Sequence, residues 1–186
     1  MLALFGCDGK TAEERSAENK ERAAKKQAKR MEALSRFGAS FNAEVVEDVE
    51  LLNLMVTRGS YSILVEKALI REGDKPIVFW SMVEDVSKSD RGYLVHFHWF
   101  SDIHYSLKCQ EDHINLILEN ASEANLFTQF AVVAVIDSVK KIDLMPSAAP
   151  NTLKEDSPSI ELTSGKTFWA TGRCLALKPR TALLPD

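Results

Sequence analysis

The chain has 186 residues, 45% hydrophobic and 27% charged, the make-up of one folded domain with appendages rather than of a disordered or fibrous protein. It contains no run of about 18 apolar residues, so the sequence offers no helix that would cross a bilayer. Its net charge of −4 hides an asymmetry: residues 10–36 carry nine Lys/Arg against five Asp/Glu, whereas residues 37–186 carry 14 against 21. An acidic body of that kind argues against nucleic acid as the partner, because neutralising phosphates takes clustered Lys and Arg.

The chain opens with Met1-Leu2-Ala3-Leu4-Phe5-Gly6-Cys7-Asp8. Leu4-Phe5-Gly6-Cys7 resembles the end of a bacterial lipoprotein signal, in which an aliphatic and two small residues precede a lipidated Cys. Phe5 departs from that pattern. The basic and apolar regions that would come before it are missing, which suits a start codon assigned too late. The resemblance implies lipidation at Cys7, and Asp8 after it implies retention at the periplasmic face of the inner membrane. The alternative is a cytoplasmic protein whose apolar N-terminus carries a free thiol. Residues 1–9 are therefore a remnant signal and 10–38 a charged helical tether. From Thr11 to Phe37 the chain is rich in Ala, Glu, Lys, Arg and Gln, the strong helix formers, and Thr11 with Glu14 matches a capping box. Alanine at most inward positions makes a poor coiled-coil seam, so the helix reads as a solvated spacer, or as a cationic helix beside anionic headgroups. Gly38 is expected to stop it.

Residues 39–74 read as a helical lead-in. Phe41, Val45, Val49, Leu52 and Val56 predict one helix over 41–58, and Tyr61, Leu64, Val65, Ala68 and Leu69 predict another over 60–71. The stretch from Lys75 to Cys109 is the centre of the chain, with three apolar runs divided by two polar turns. Residues 76–86 predict a strand. Tyr93, Val95, Phe97 and Trp99 then alternate with Leu94, His96, His98 and Phe100, which predicts a second strand. Residues 103–109 predict a third. Residues 111–125 turn to helical spacing, 126–139 predict a nearly continuous apolar strand, and 140–159, with Pro146, Pro150 and Pro158, reads as a long loop. Residues 160–163 and 167–177 supply the last strand or strand pair, and residues 179–186 are a flexible tail.

The fold class is thus mainly β with helices (α+β). The element order strand, strand, strand, helix, strand, loop, strand over residues 75–178 resembles the oligonucleotide/oligosaccharide-binding (OB) fold, a five-stranded Greek-key barrel. It is also similar to an anticodon-binding-domain-like subfamily of bacterial envelope proteins, which places a Cys near the end of strand three and another in the last strand. Cys109 and Cys174 stand at such places, so the resemblance sets the two thiols side by side. In an oxidising compartment it implies a disulfide; otherwise both are small buried hydrophobes.

Trp80, Phe97, Trp99 and Trp169 are the candidate ligand-binding residues, as a stacking platform, with a core role as the alternative. His96 and His98 share one face of a strand. With His104, Asp102 or His113 they could ligate a metal, and the spacing resembles the His-x-His of cupins, but the Glu that follows there is missing. No metal is assigned. Ser164-Gly165-Lys166-Thr167 lacks the Gly of a phosphate-binding loop at position 160, and neither Gly-x-Ser-x-Gly nor Cys-x-x-Cys occurs. No cofactor and no catalytic residue are assigned. The sequence reads as a membrane-anchored, non-enzymatic binding module of the cell envelope, taking a protein or small ligand through loops 87–92 and 145–159. The alternatives are a single-stranded nucleic-acid binder in the cytosol and a metal-dependent enzyme on His96 and His98.

Overall fold

Thr11 opens a helix of 28 residues, α1 (Ala12–Ala39), in a computed structural model that describes residues 11–47, 61–89, 92–98, 103–120, 128–143 and 166–184. Both halves of the expected capping box form: the Glu14 amide donates to Thr11 Oγ1 at 3.2 Å and the Thr11 amide to Glu14 Oε2 at 2.8 Å. From Ala12 to Lys29 almost every side chain is exposed, and the spaced pairs Glu18–Arg22 and Glu21–Lys25 meet at 2.6 and 2.7 Å. At about 1.5 Å per residue the helix is some 42 Å long. Only its last turns, with Ala33, Leu34 and Gly38, are buried against the sheet.

Gly38 does not stop the helix, which runs on to Ala39. It is a packing position instead: a Cβ there would sit 2.6 Å from Val78 Cγ1. Its carbonyl accepts the amides of Phe41 and Ala43 at 2.9 and 3.0 Å and turns the chain toward the sheet. The helix expected from residue 41 is likewise replaced in its described part. Glu44–Val45 forms a short strand, β1, parallel to Ile77–Val78, and the Val46 amide donates to the Val78 carbonyl at 3.0 Å. The β-branched pair Val45-Val46 suits an extended backbone, and the tertiary partner decides between the two states. Residues 48–60 lie outside the described part.

Helix α2 (Tyr61–Leu69) and a 3₁₀ turn at Glu72–Asp74 lead into β2 (Ile77–Ser89), β3 (Gly92–His98) and β4 (Ile103–Cys109). Helix α3 (Glu111–Asn120) follows, then β5 (Gln129–Asp143), β6 (Lys166–Pro179) and one turn of helix, α4 (Arg180–Leu183). The tail beyond 178 was expected to be flexible. Through Leu184 it is ordered, because Leu183 and Leu184 pack against the cluster under α1. Of the two loops expected to hold a ligand, the first is mostly the ends of the β2–β3 hairpin, with Ser87, Lys88 and Ser89 paired to Leu94, Tyr93 and Gly92. Residues 145–159 lie outside the described part.

The fold is α+β: an N-terminal helix and a six-stranded mixed sheet in a partly closed ring. Strands follow the order β1-β2-β3-β4-β6-β5, and β5 also pairs back to β2. β2 makes both ends of the circuit because its halves have different partners, β5 along 77–82 and β3 along 82–89. β4 and β6 are parallel; the other contacts in the circuit are antiparallel. The interior holds Ile77, Phe79, Phe97, Tyr105, Val132 and Phe168, closed over by Val65 and Leu69 of α2 and Ile114 and Ile117 of α3. A second, smaller cluster lies on the outer surface beneath α1: Leu34, Val78, Trp80, Ala131 and Val133. Gly172 packs tightly against β5, where a Cβ would meet the Val135 carbonyl oxygen at 2.0 Å.

Candidate functional site

The pairing register lines up side chains in rows that cross the ring. An inward row is apolar: Val83, Phe97, Tyr105, Ala170 and Val139 are successive partners. On the outer surface the next row reads Met82, His98, His104, Trp169 and Lys140, and the one beyond it Asp85, His96, Ser106, Thr171 and Ser138. Neighbours in one row on one face stand close enough for their side chains to interact directly. Thus His98 stacks on His104 at 4.3 Å between ring centres, and His104 stacks on Trp169 at 5.4 Å, with interplanar angles of 11° and 10°. His96 meets the same indole edge-on at 5.8 Å.

One hydroxyl ties the two rows together. Ser106 is only 4% exposed, and its Oγ lies 2.7 Å from Trp169 Nε1 and 2.7 Å from His96 Nδ1. An indole nitrogen can only donate, so Ser106 accepts from Trp169, and a second hydrogen bond joins the same hydroxyl to His96 Nδ1. Farther along the row, Ser138 and Thr171 share a hydrogen bond of 2.8 Å. At the β2 edge a register shift between Val83 and Asp85 leaves Glu84 as an extra residue, and the bulge re-aims its carboxylate. Glu84 Oε2 lies 3.4 Å from His104 Nδ1, an ion-pair distance without hydrogen-bond alignment.

Of the residues expected from the sequence, Trp169, His96 and His98 come together in this ladder. Phe97 is fully buried inside the ring, and Trp80 lies in the cluster under α1 with Arg30 over its ring at 5.7 Å, so neither offers a face to a ligand. Cys7, Trp99 and Asp102 lie outside the described residues. Cys109 and Cys174 are buried free thiols. Their sulfurs and one ring nitrogen of His113 all lie within 4.8 Å of one another, away from the ladder. Ser106 and Glu84 were not singled out from the sequence. The alternation of His104, Ser106 and Lys108 on β4 carries the signal for Ser106, because it puts that hydroxyl on the face of His96 once β3 and β4 pair. Nothing local marks Glu84, since its orientation comes from the bulge.

No family model, no curated protein and no solved structure matches the chain.

Proposed function

We propose that this chain is a membrane-tethered binding module of the bacterial cell envelope, built on an OB-like Greek-key barrel of β2 to β6, with its ligand surface on the outer face of β3, β4 and β6. The circuit β2-β3-β4-β6-β5-β2, with a helix between β4 and β5, supports the barrel reading, because that is the order in which such a barrel closes. The observation that carries the function is the His98–His104–Trp169 stack. Three rings stacked in one row, backed by an internal hydrogen-bond network, form a preorganised strip whose edges and end faces suit another flat group: a pyranose ring, a heterocycle, or an aromatic side chain of a protein partner. The chemistry asks for binding and no catalysis. The exposed first part of α1 would hold the barrel off the membrane, with a lipid on Cys7 as the anchor.

The surface is tested by titrating the protein with chitotetraose, a mononucleoside and oligothymidylate, following indole emission and the histidine ring signals. A ligand of the proposed class shifts the His98, His104 and Trp169 signals, and Trp169→Ala abolishes the shift. No response of the ladder to any of the three, nor to an aromatic peptide library, rejects the ligand surface. Strong, salt-sensitive retention of oligothymidylate alone would favour the single-strand binder instead. The anchor is tested separately by expressing the gene with its upstream codons in labelled palmitate. Label on the wild type and none on Cys7→Ala is the expected result, and an unlabelled wild type rejects it.

A further inference from the structure

Cys109 ends β4, and His113 follows four residues later in the first turn of α3. β6 runs parallel to β4 in a register that sets Arg173 beside Lys108, so Cys174 stands next in line opposite Cys109. A register shift in the β5–β6 pairing leaves out Leu175, which lies exposed while Cys174 is buried at the pair. Three elements thereby deliver three ligand atoms to one place, all within 4.8 Å of each other. The Gln110 amide donates to His113 Nδ1 at 3.3 Å, a bond that holds the ring at the junction of β4 and α3 and that ligation through either ring nitrogen would replace.

We propose that Cys109, His113 and Cys174 form a binding site for one zinc-class divalent ion, with the fourth position open to water or a ligand. Three features favour a metal over two buried thiols or a disulfide. First, the donor set is the one zinc takes at open sites, two thiolates and an imidazole. Second, with Zn–S near 2.3 Å and Zn–N near 2.0 Å, a tetrahedral site needs donors about 3.5–3.8 Å apart, so atoms within 4.8 Å of one another have to close in by no more than about 1.3 Å. Third, a disulfide has no use for the imidazole. Two thiolates, a neutral imidazole and a divalent cation sum to zero charge, which suits a site whose two sulfurs are buried.

The test uses the full chain carrying Cys7→Ala, so that only the buried pair supplies thiols, kept reduced without air. Cobalt(II) is the probe. The expected result is a thiolate-to-cobalt charge-transfer band with the intense visible bands of a tetrahedral ion, saturating at one equivalent and bleached by zinc. Buried Cys→Ser variants risk the fold, whereas His113 is half-buried at the start of a helix. His113→Asn should keep the circular dichroism of the parent and weaken cobalt by at least the roughly 10- to 100-fold that losing a mere outer-shell partner costs. Zinc should also slow alkylation of Cys109 and Cys174 in the parent protein. The proposal is overturned if no thiolate–cobalt band appears, if folded His113→Asn binds cobalt as the parent does, or if the chain isolated from cells carries Cys109 joined to Cys174.

Discussion

Ser106→Ala removes one oxygen and leaves the shape of β4 unchanged, so it isolates the hydroxyl that joins the two rows. Two hydrogen bonds of 2.7 Å are lost. Each is worth about 0.5–1.5 kcal/mol net, and a buried partner left without one adds about 1–3 kcal/mol. Trp169 and His96 are only half-buried, so water recovers part of that penalty. We expect a loss of about 2 kcal/mol, which in a domain of this size lowers the melting temperature by roughly 4–8 °C. Urea unfolding followed by far-ultraviolet circular dichroism measures it, with an unchanged slope showing that only the folded state is affected. Nitrogen-15 spectra of the histidine rings supply the second readout. In the parent the Ser106 hydroxyl holds His96 Nδ1; in Ser106→Ala that partner is gone and the His96 nitrogen signals should move from their parent positions. A loss below about 0.5 kcal/mol together with an unchanged His96 spectrum would refute the reasoning, and would mean that stacking alone holds the ladder.

Three other outcomes follow from the same structure. Gly172→Ala places a methyl 2.0 Å from the Val135 carbonyl oxygen, a backbone atom that no rotamer change can move. The usual overpacking penalty of about 1–3 kcal/mol should be met at its upper end, less the roughly 0.4–1 kcal/mol gained by restricting the unfolded chain, as urea titration would show. Leu34→Ala empties the centre of the cluster under α1 and should cost about 2–5 kcal/mol, with a red shift of Trp80 emission as that ring becomes wetted. A hydrogen bond from Lys75, and then the charge of Arg71, hold the Glu44 carboxyl below its ordinary value of 4.5. The folded value is the lower one, so the stabilisation is complete above pH 4.5 and fades as the pH falls through the folded value. Parent and Glu44→Gln should therefore differ in melting temperature near neutrality and converge in acid, and a constant difference over that range would rule the ion pair out as the cause.

The strands were legible because their side chains carry the period of two. Val95 and Phe97 are buried between the half-exposed Leu94, His96 and His98, as the alternation requires. The capping box was legible for a similar reason, since both halves of it lie within one turn. What failed was whatever depends on a partner far away in sequence. Val45 and Val46 fit a helical face or a strand equally well, and Ile77–Val78 decides. Gly38 has the look of a helix terminator, but its use comes from Val78, 40 positions on. Trp80 and Trp169 are the same residue type on strands of the same sheet, and only the position of α1 makes one core and the other surface. The ladder was half-legible: the histidines stood out and the alternation on β4 marks the face of Ser106, while the register that brings it between His96 and Trp169 is a long-range property.

The contrast between continuous and alternating apolar runs carries more than secondary structure. Ile77 to Ser81 and Phe130 to Ile136 are buried at every position, so both faces of the sheet are covered there. Inward residues such as Phe79 and Val132 fill the ring, while Val78, Trp80, Ala131 and Val133 point the other way and meet α1. Beyond Met82, and along β3, β4 and most of β6, burial alternates or nearly so, because no helix among the described residues lies on the outer face. An uncovered sheet face has to be polar to stay in water, and here it is polar in an unusual way, with rings and hydroxyls where charges would serve solubility as well. The helix that covers the β2–β5 side is also the one that carries the charged N-terminal arm. The geometry therefore separates two faces: the side under α1 is sealed by Leu34 and Trp80, and among the described residues no helix packs over the stacked rings of His98, His104 and Trp169.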